Sequence, residues 1–562
     1  MRKSVKQQLA LRVLSTAALM AMVSSIATAA FADTYDLNKG SVTVETKADG
    51  ITYVTQKDDK QADGYARNEN DDILHDYQDK TGVTITSGGE KTSNTITVDT
   101  AKDQTTDVTL QDVHIEVNTT RAKSGAIEIK GDGDTNLELN GDNTVLVENE
   151  WSEEHAAIEK ADKYGTGTLT IKDDVNDNGT EKSGTEADTT GKLLAGGYHN
   201  SAAIGGGSNT YNGEYSLADT SNITITGGEI TAIGGNDGCA GIGGGYNGTG
   251  KNIRIEGNAH VTAVAGDGAA IGGGIGSGNS VTITDDAVVD AYSAFAAAIG
   301  NGDQVGRPND PTTITISGNA TVHAENSQRG GCAIGNGRDG SLSDLTVNIE
   351  KNANVTAISS YDCPAIGTPL CIGATTTTIN ITGGTVNAIN SFGSDNPEYS
   401  SQYDGTRDTS PAIGTTIDSD RSGTCNVNIN SSTGDTVVNA YIYGKGSGTA
   451  IGSRYKGQNV PADSASYKAD GSSHFGERNS AIVNCYNNGT VAKEKLNLPS
   501  TKDPLALNYN KYSHTITGGT LTKVVHNRKY MEENPNIDTS DLKDEDLHDW
   551  KLVGKVVEPT TE

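Results

Sequence analysis

The sequence predicts an all-β fold, a right-handed parallel β-helix with three sheets and ten or more coils. Three observations predict it. Ala202-Ala203-Ile204-Gly205 returns as Ala240-Gly241-Ile242-Gly243 and again as Ala269-Ala270-Ile271-Gly272. Between the copies lie two more short apolar runs, Ile223-Thr224-Ile225 with Ile230-Thr231-Ala232, then Ile253-Arg254-Ile255 with Val261-Thr262-Ala263. A unit of about thirty residues with three brief strands and glycine corners is a solenoid coil. The third observation is composition. Only 34% of residues are hydrophobic and 69 are glycine, too little apolar surface for a compact core of this length. A coil needs to bury only a narrow ribbon against the coils above and below. Right-handed winding follows from crossover chirality.

In chain order, Arg2, Lys3, Lys6 and Arg12 precede an apolar run from Val13 to Ala27 and the small-x-small triplet Ala30-Phe31-Ala32. Residues 1–32 therefore read as a secretory signal peptide, and the mature chain as exported, secreted or associated with the cell surface. No other run approaches the length of a membrane span, so no insertion is expected after the leader is removed. Residues 33–80 read as an N-terminal strand, Val42-Thr43-Val44, and a polar capping region that covers the first coil.

Residues 81–526 read as the β-helix. Val83-Thr84-Ile85, Ile96-Thr97-Val98, Val108-Thr109-Leu110 and Val113-His114-Ile115 alternate with a period of two. The marker strand then recurs with its isoleucine at Ile127, Ile158, Ile204, Ile242, Ile271, Ile299, Ile334, Ile366, Ile413 and Ile451. The corner after the second strand stays short, as in Thr226-Gly227-Gly228, Glu256-Gly257-Asn258 and Ser317-Gly318-Asn319. Glycine and asparagine suit a left-handed backbone there. The other corners vary, which marks a decorated, working face. Thr515-Ile516-Thr517-Gly518-Gly519-Thr520-Leu521-Thr522 reads as a last echo of the coil. Residues 527–562 read as an acidic C-terminal cap or tail, with a short helix over Asp541 to Trp550.

The formal charge is −30, and the leader holds four of the cations. Nucleic acid and anionic membranes would be repelled, so neither is an expected partner. A monomer is expected. Six cysteines do not make a disulfide scaffold. Cys239, Cys332 and Cys363 precede their marker strands by similar offsets. Cys332 and Cys363 fall in adjacent coils, where either a bridge or small residues stacked in the wall fits the spacing.

Candidate chemistry is sparse. Asp174, Asn176 and Asn178, ahead of Gly179, form the first half of a calcium loop, with hard oxygens at alternate positions. The twelfth position is Thr185, so the pattern is incomplete and also fits an Asx-rich turn. Calcium is the one cofactor the sequence suggests. Asp285 and Asp286 are adjacent carboxylates, but they sit in the tight corner rather than along a cleft, against a glycosidase acid–base pair. Arg254, Arg307 and Arg338 lack the acidic neighbours a lyase needs. His199, His260 and His323 read as surface residues without metal spacing. The Thr-x-Thr ranks suit any exposed sheet, and the uneven loops would spoil an ice-binding plane. Leu498-Pro499-Ser500-Thr501 lacks the tail of a sortase signal.

Tyrosine is the odd abundance, 21 against four phenylalanines and two tryptophans. Tyr198, Tyr211, Tyr215 and Tyr246 cluster in two successive coils, and Tyr441, Tyr443 and Tyr455 form a later group. A tyrosine ring offers an apolar face to a sugar and a hydroxyl for hydrogen bonds. These seven are the candidate carbohydrate contacts. Tyrosine also simply tolerates exposed strand positions.

Thr34-Tyr35-Asp36-Leu37, Gly40-Ser41-Val42-Thr43-Val44, Leu137-Glu138-Leu139-Asn140-Gly141-Asp142-Asn143-Thr144 and the Ala-Ala-Ile-Gly-Gly-Gly and Ile-Thr-Ile-Thr-Gly-Gly copies together resemble one family. It is that of exported Gram-positive β-helical carbohydrate-binding or adhesin-like surface proteins. The resemblance spans about residues 34 to 525. It implies a non-catalytic, calcium-assisted binder of a polysaccharide or cell-surface glycan. An adhesin for a protein or cell-wall partner is the first alternative, and a polysaccharide lyase or hydrolase the second.

Overall fold

In the computed structural model, the described residues comprise most of 33–442 and six later strands ending at 553. Within 33–442 the longest stretches left out are 58–73, 175–190 and 391–409. The described chain is all-β, with two short 3-10 turns at Leu37–Lys39 and Asp162–Tyr164. Three long sheets hold 12, 14 and 14 strands, in orders that step by one coil at a time. Successive coils pair parallel in each sheet, the arrangement of a β-helix. Among the described residues no helix is long and apolar enough to cross a membrane.

The marker isoleucines form a single column. Ile96 pairs with Ile127, then Ile158, Ile204, Ile242 and Ile271 follow in register. Ile299, Ile334, Ile366, Ile413 and Ile451 continue it. Parallel pairing in register places identical side chains one above another, here inside the shaft. Four further columns line the interior. Ile223, Ile253, Val281, Ile314 and Val347 stack in the first sheet, beside Ile225, Ile255, Ile283, Ile316 and Ile349. Ile230, Val261, Val289, Val322 and Val355 stack in the third, beside Ala232, Ala263, Ala291, Ala324 and Ala357. All of these are buried. The alanine column keeps the cross-section narrow, so the chain builds a continuous core on a low apolar content.

The short corner behaves as its residues require. Gly257, Asp285, Gly318 and Lys351 occupy equivalent corners, with φ of 63°, 59°, 70° and 59°. Asp285 thus stands where neighbouring coils place glycine, a left-handed position that aspartate tolerates better than most residues. Asp286 accepts a hydrogen bond from Asn319 Nδ2 at 2.9 Å.

Both ends depart from parallel stacking. Asp33–Asp36 and Val42–Thr46 already pair parallel with later coils. Thr52–Lys57 and Leu74–Asp79 add antiparallel strands at that edge of the marker sheet. At the other end, Thr490–Leu498 and Tyr509–Thr517 pair antiparallel with each other, and Thr520–Asn527 runs antiparallel to Ile482–Asn487. The echo at Thr515–Thr522 is therefore not another parallel coil. Its flanking strands belong to two antiparallel pairings, which short connections permit and a parallel crossover does not. The helix expected to end at Trp550 also needs correction. Trp550–Val553 is a strand, paired antiparallel with Val524–Asn527. Asp541–Asp549 lie outside the described residues.

Candidate functional site

Two neighbourhoods of the shaft gather chemistry, both around the marker sheet between residues 124 and 268. The first is a corner made by the chain just before and just after the marker strands. Tyr198 is partly exposed and packs against the core, its ring edge-on to His199 with centroids 4.3 Å apart. Its loop is held by Ser201, whose Oγ donates to the Tyr198 carbonyl at 2.8 Å and accepts from the Tyr198 N–H at 3.1 Å. Tyr246, on the next coil, is also partly exposed, and its N–H donates to the Asn200 carbonyl at 3.0 Å. One coil's loop thus seats the next, and two of the expected tyrosines share a corner.

The same corner is acidic. Asp237 Oδ2 lies 3.6 Å from His199 Nδ1. Asp267 has its carboxyl raised, first by burial and then by the neighbouring Asp237 charge. Cys239 is buried beneath, with Sγ donating to the His199 carbonyl at 3.3 Å. Burial pushes its thiol far up. Cys239, Cys332 and Cys363 are all buried in the wall and outside any disulfide, so stacked small residues describe them and a Cys332–Cys363 bridge does not.

The other expected site residues are placed as follows. Tyr211, Tyr215 and Tyr443 lie outside the described residues. Tyr441 is in a strand, in register with Ile389 and Tyr486, and Tyr455 is in register with Ile417. Asp174 has its carboxylate held by the Lys172 ammonium at 2.9 and 3.1 Å. Asn176 and Asn178 lie outside the described residues. Arg254 donates twice to Glu256 Oε2, just past the end of its strand, at 3.0 and 2.6 Å.

The second neighbourhood was not anticipated from the sequence. Ile127 and Ile158 point into the shaft, so alternation sends Glu128 and Glu159 to the outer face, one above the other. Both are nevertheless buried, at 4% and 0% exposure, as are His155 at 4% and Glu154 at 1%. The cover is local. Glu154 and Ser208 form an antiparallel bridge across the outside of the sheet. Gly207 passes so close that a Cβ there would stand 3.3 Å from Glu159 Oε2. Beneath this strap, His155 Nδ1 lies 2.7 Å from Glu159 Oε2, and the Ala156 N–H donates to the same oxygen at 3.2 Å. Glu159 Oε1 has no hydrogen-bond partner. Burial raises the Glu159 carboxyl against the pull of the imidazole, and burial likewise raises Glu154. Lys130 Nζ sits 2.7 Å from Glu128 Oε2. One donor atom each from Glu128, His155 and Glu159 fall within 4.8 Å of one another.

One signal could have found this cluster. The residue after the marker isoleucine is glycine in every coil from Gly205 onward and glutamate only at Glu128 and Glu159. No family model, curated protein or solved structure matches the chain.

Proposed function

We propose that the protein is an exported, non-catalytic β-helix that binds polysaccharide through its tyrosine-bearing corners. The observation that carries the reading is that the Tyr246 N–H bonds the carbonyl of Asn200, two residues from Tyr198. Adjacent coils bring the two tyrosines to one corner, partly exposed and seated by backbone hydrogen bonds. Rings fixed at low conformational cost suit stacking on sugar faces. The repeat supplies further corners along the shaft, so a polymer could be held at several weak points at once. The charge of −30 suits a neutral glycan, or an acidic one bridged by calcium.

The test is a glycan array followed by titration on the best hit, with and without chelator. Tyr198→Ala and Tyr246→Ala should each weaken binding roughly tenfold, about 1.4 kcal/mol. A chelator effect would assign the calcium bridge. Binding to cells that no soluble sugar competes would move the assignment to an adhesin. Release of reducing or unsaturated ends from a bound polymer would make it an enzyme.

A further inference from the structure

We propose that Glu128, His155 and Glu159 form a divalent-metal site of the zinc class, buried under the Glu154–Ser208 strap, which ties two coils of the shaft to that strap. The inference is independent of the sugar-binding reading.

Donors from two coils converge: Glu128 on one, and Glu159 with His155, four residues before it beside the strap, on the next. Their ligand atoms lie within 4.8 Å of one another. A tetrahedral ion with bonds of about 2.1 Å needs its donors roughly 3.4 Å apart. His155 and Glu159 are already at 2.7 Å, so small side-chain rotations would place all three.

The unpartnered oxygen is a separate observation. Glu159 is fully buried, and its Oε1 meets no donor. A buried carboxylate oxygen without a partner carries its whole desolvation cost, which a cation would remove. The donor set also speaks to the ion. Calcium and magnesium take oxygen ligands, whereas one imidazole with two carboxylates suits zinc and its neighbours. The surroundings supply an outer-shell contact, since the Ala156 N–H fixes one Glu159 oxygen. Lys130 is a competitor, because its ammonium occupies the carboxylate that the metal would share.

The test uses the full chain, stripped with chelator and titrated with zinc against a chromophoric competitor. One equivalent should bind. His155→Gln and Glu159→Gln should each weaken binding by more than the roughly 10–100-fold that outer-shell changes cost. Lys130→Gln should strengthen it severalfold, a gain that a misfolded variant could not produce. Cobalt in place of zinc should give the visible spectrum of a low-coordinate nitrogen–oxygen site, absent in His155→Gln. Far-UV circular dichroism establishes that each variant keeps its sheets. The proposal is overturned if the folded wild-type chain binds no zinc. It is equally overturned if the His155 and Glu159 variants bind it as well as wild type, or if Lys130→Gln weakens it.

Discussion

Two stretches of one sheet make opposite use of the same position. After the inward isoleucine, the coils at Ile127 and Ile158 carry glutamate, while those from Ile204 onward carry glycine. The glycines at 205, 243, 272, 300, 335, 367 and 414 all hold φ between 133° and 138°. A Cβ at Gly243 would overlap the carbonyl of Gly272 on the next coil, and the clash repeats up the column. There the sheet's outer surface is bare backbone. Glu128 and Glu159 do not share that positive φ. Their side chains rise from the sheet and must be roofed by the Glu154–Ser208 strap. A single residue type at one register position therefore decides whether the shaft has a flush wall or a buried polar chamber.

The next position repeats the contrast. Ile129 and Lys160 stand there in the glutamate coils, and Asn301, Asn336 and Thr368 in three of the glycine coils. Lys160 is buried, and its ammonium donates to the Gly165 carbonyl at 3.0 Å. The asparagines form a ladder, with Asn301 Nδ2 donating to Asn336 Oδ1 at 2.6 Å and Asn336 Nδ2 to Thr368 Oγ1 at 3.1 Å.

The largest effect should come from the glycine column. Gly243→Ala combines a strained φ with backbone overlap and should cost about 4 kcal/mol, enough to lose soluble protein. Yield and a urea midpoint would measure it. A harmless Gly243→Ala would show that the coils have room to spare, and the contrast with the glutamate coils would dissolve.

Next come the isoleucines that both regions share. Ile271→Ala and Ile127→Ala should each cost about 3 kcal/mol, because both delete a fully buried side chain from one continuous column. Urea denaturation of the pair sharpens the comparison. Similar losses place the difference between regions on the outer face alone.

This column was legible in the sequence because it repeats. Ile-Gly recurs at intervals of 28 to 47 residues, a bare coil plus loops of varying length, and one strand's pattern predicts the next. The corner glycines were legible for the same reason, and so was the corner position of Asp285. The glutamate chamber was not legible. Its donors sit at 128, 155 and 159, and only coil stacking and the strap bring them together. The clue was a departure from the repeat, which a search for repeats discards. The ends were misread for a related reason. The echo at Thr515–Thr522 has the coil's composition, but its flanking strands pair antiparallel, and Trp550 begins a strand instead of ending a helix.

A smaller effect is expected in the asparagine ladder. Asn301 is buried and also accepts from Thr312 Oγ1 at 2.8 Å. Asn301→Ala leaves partners unsatisfied and should cost about 2 kcal/mol, with Asn301→Ser recovering part of it. Equal stability of the alanine variant and wild type would show that the ladder only fills space.

The smallest effect is in pH dependence, and it distinguishes the acidic corner of the glycine coils from an ordinary surface. Burial and the Asp237 charge raise the Asp267 carboxyl above its usual value near 3.8. The folded chain therefore holds that proton more tightly than the unfolded chain does. The stability this contributes is complete below about pH 4 and fades as pH climbs through the folded value. Asp267→Asn removes the titration, so the fall in urea midpoint from pH 4 upward should flatten, by a small amount because the site is partly exposed. Asp237→Asn should recover a smaller part of it, because the like charge is the lesser of the two causes. An Asp267→Asn profile parallel to wild type would mean that neither burial nor Asp237 governs this carboxyl, and the corner would be as solvated as the rest of the acidic surface.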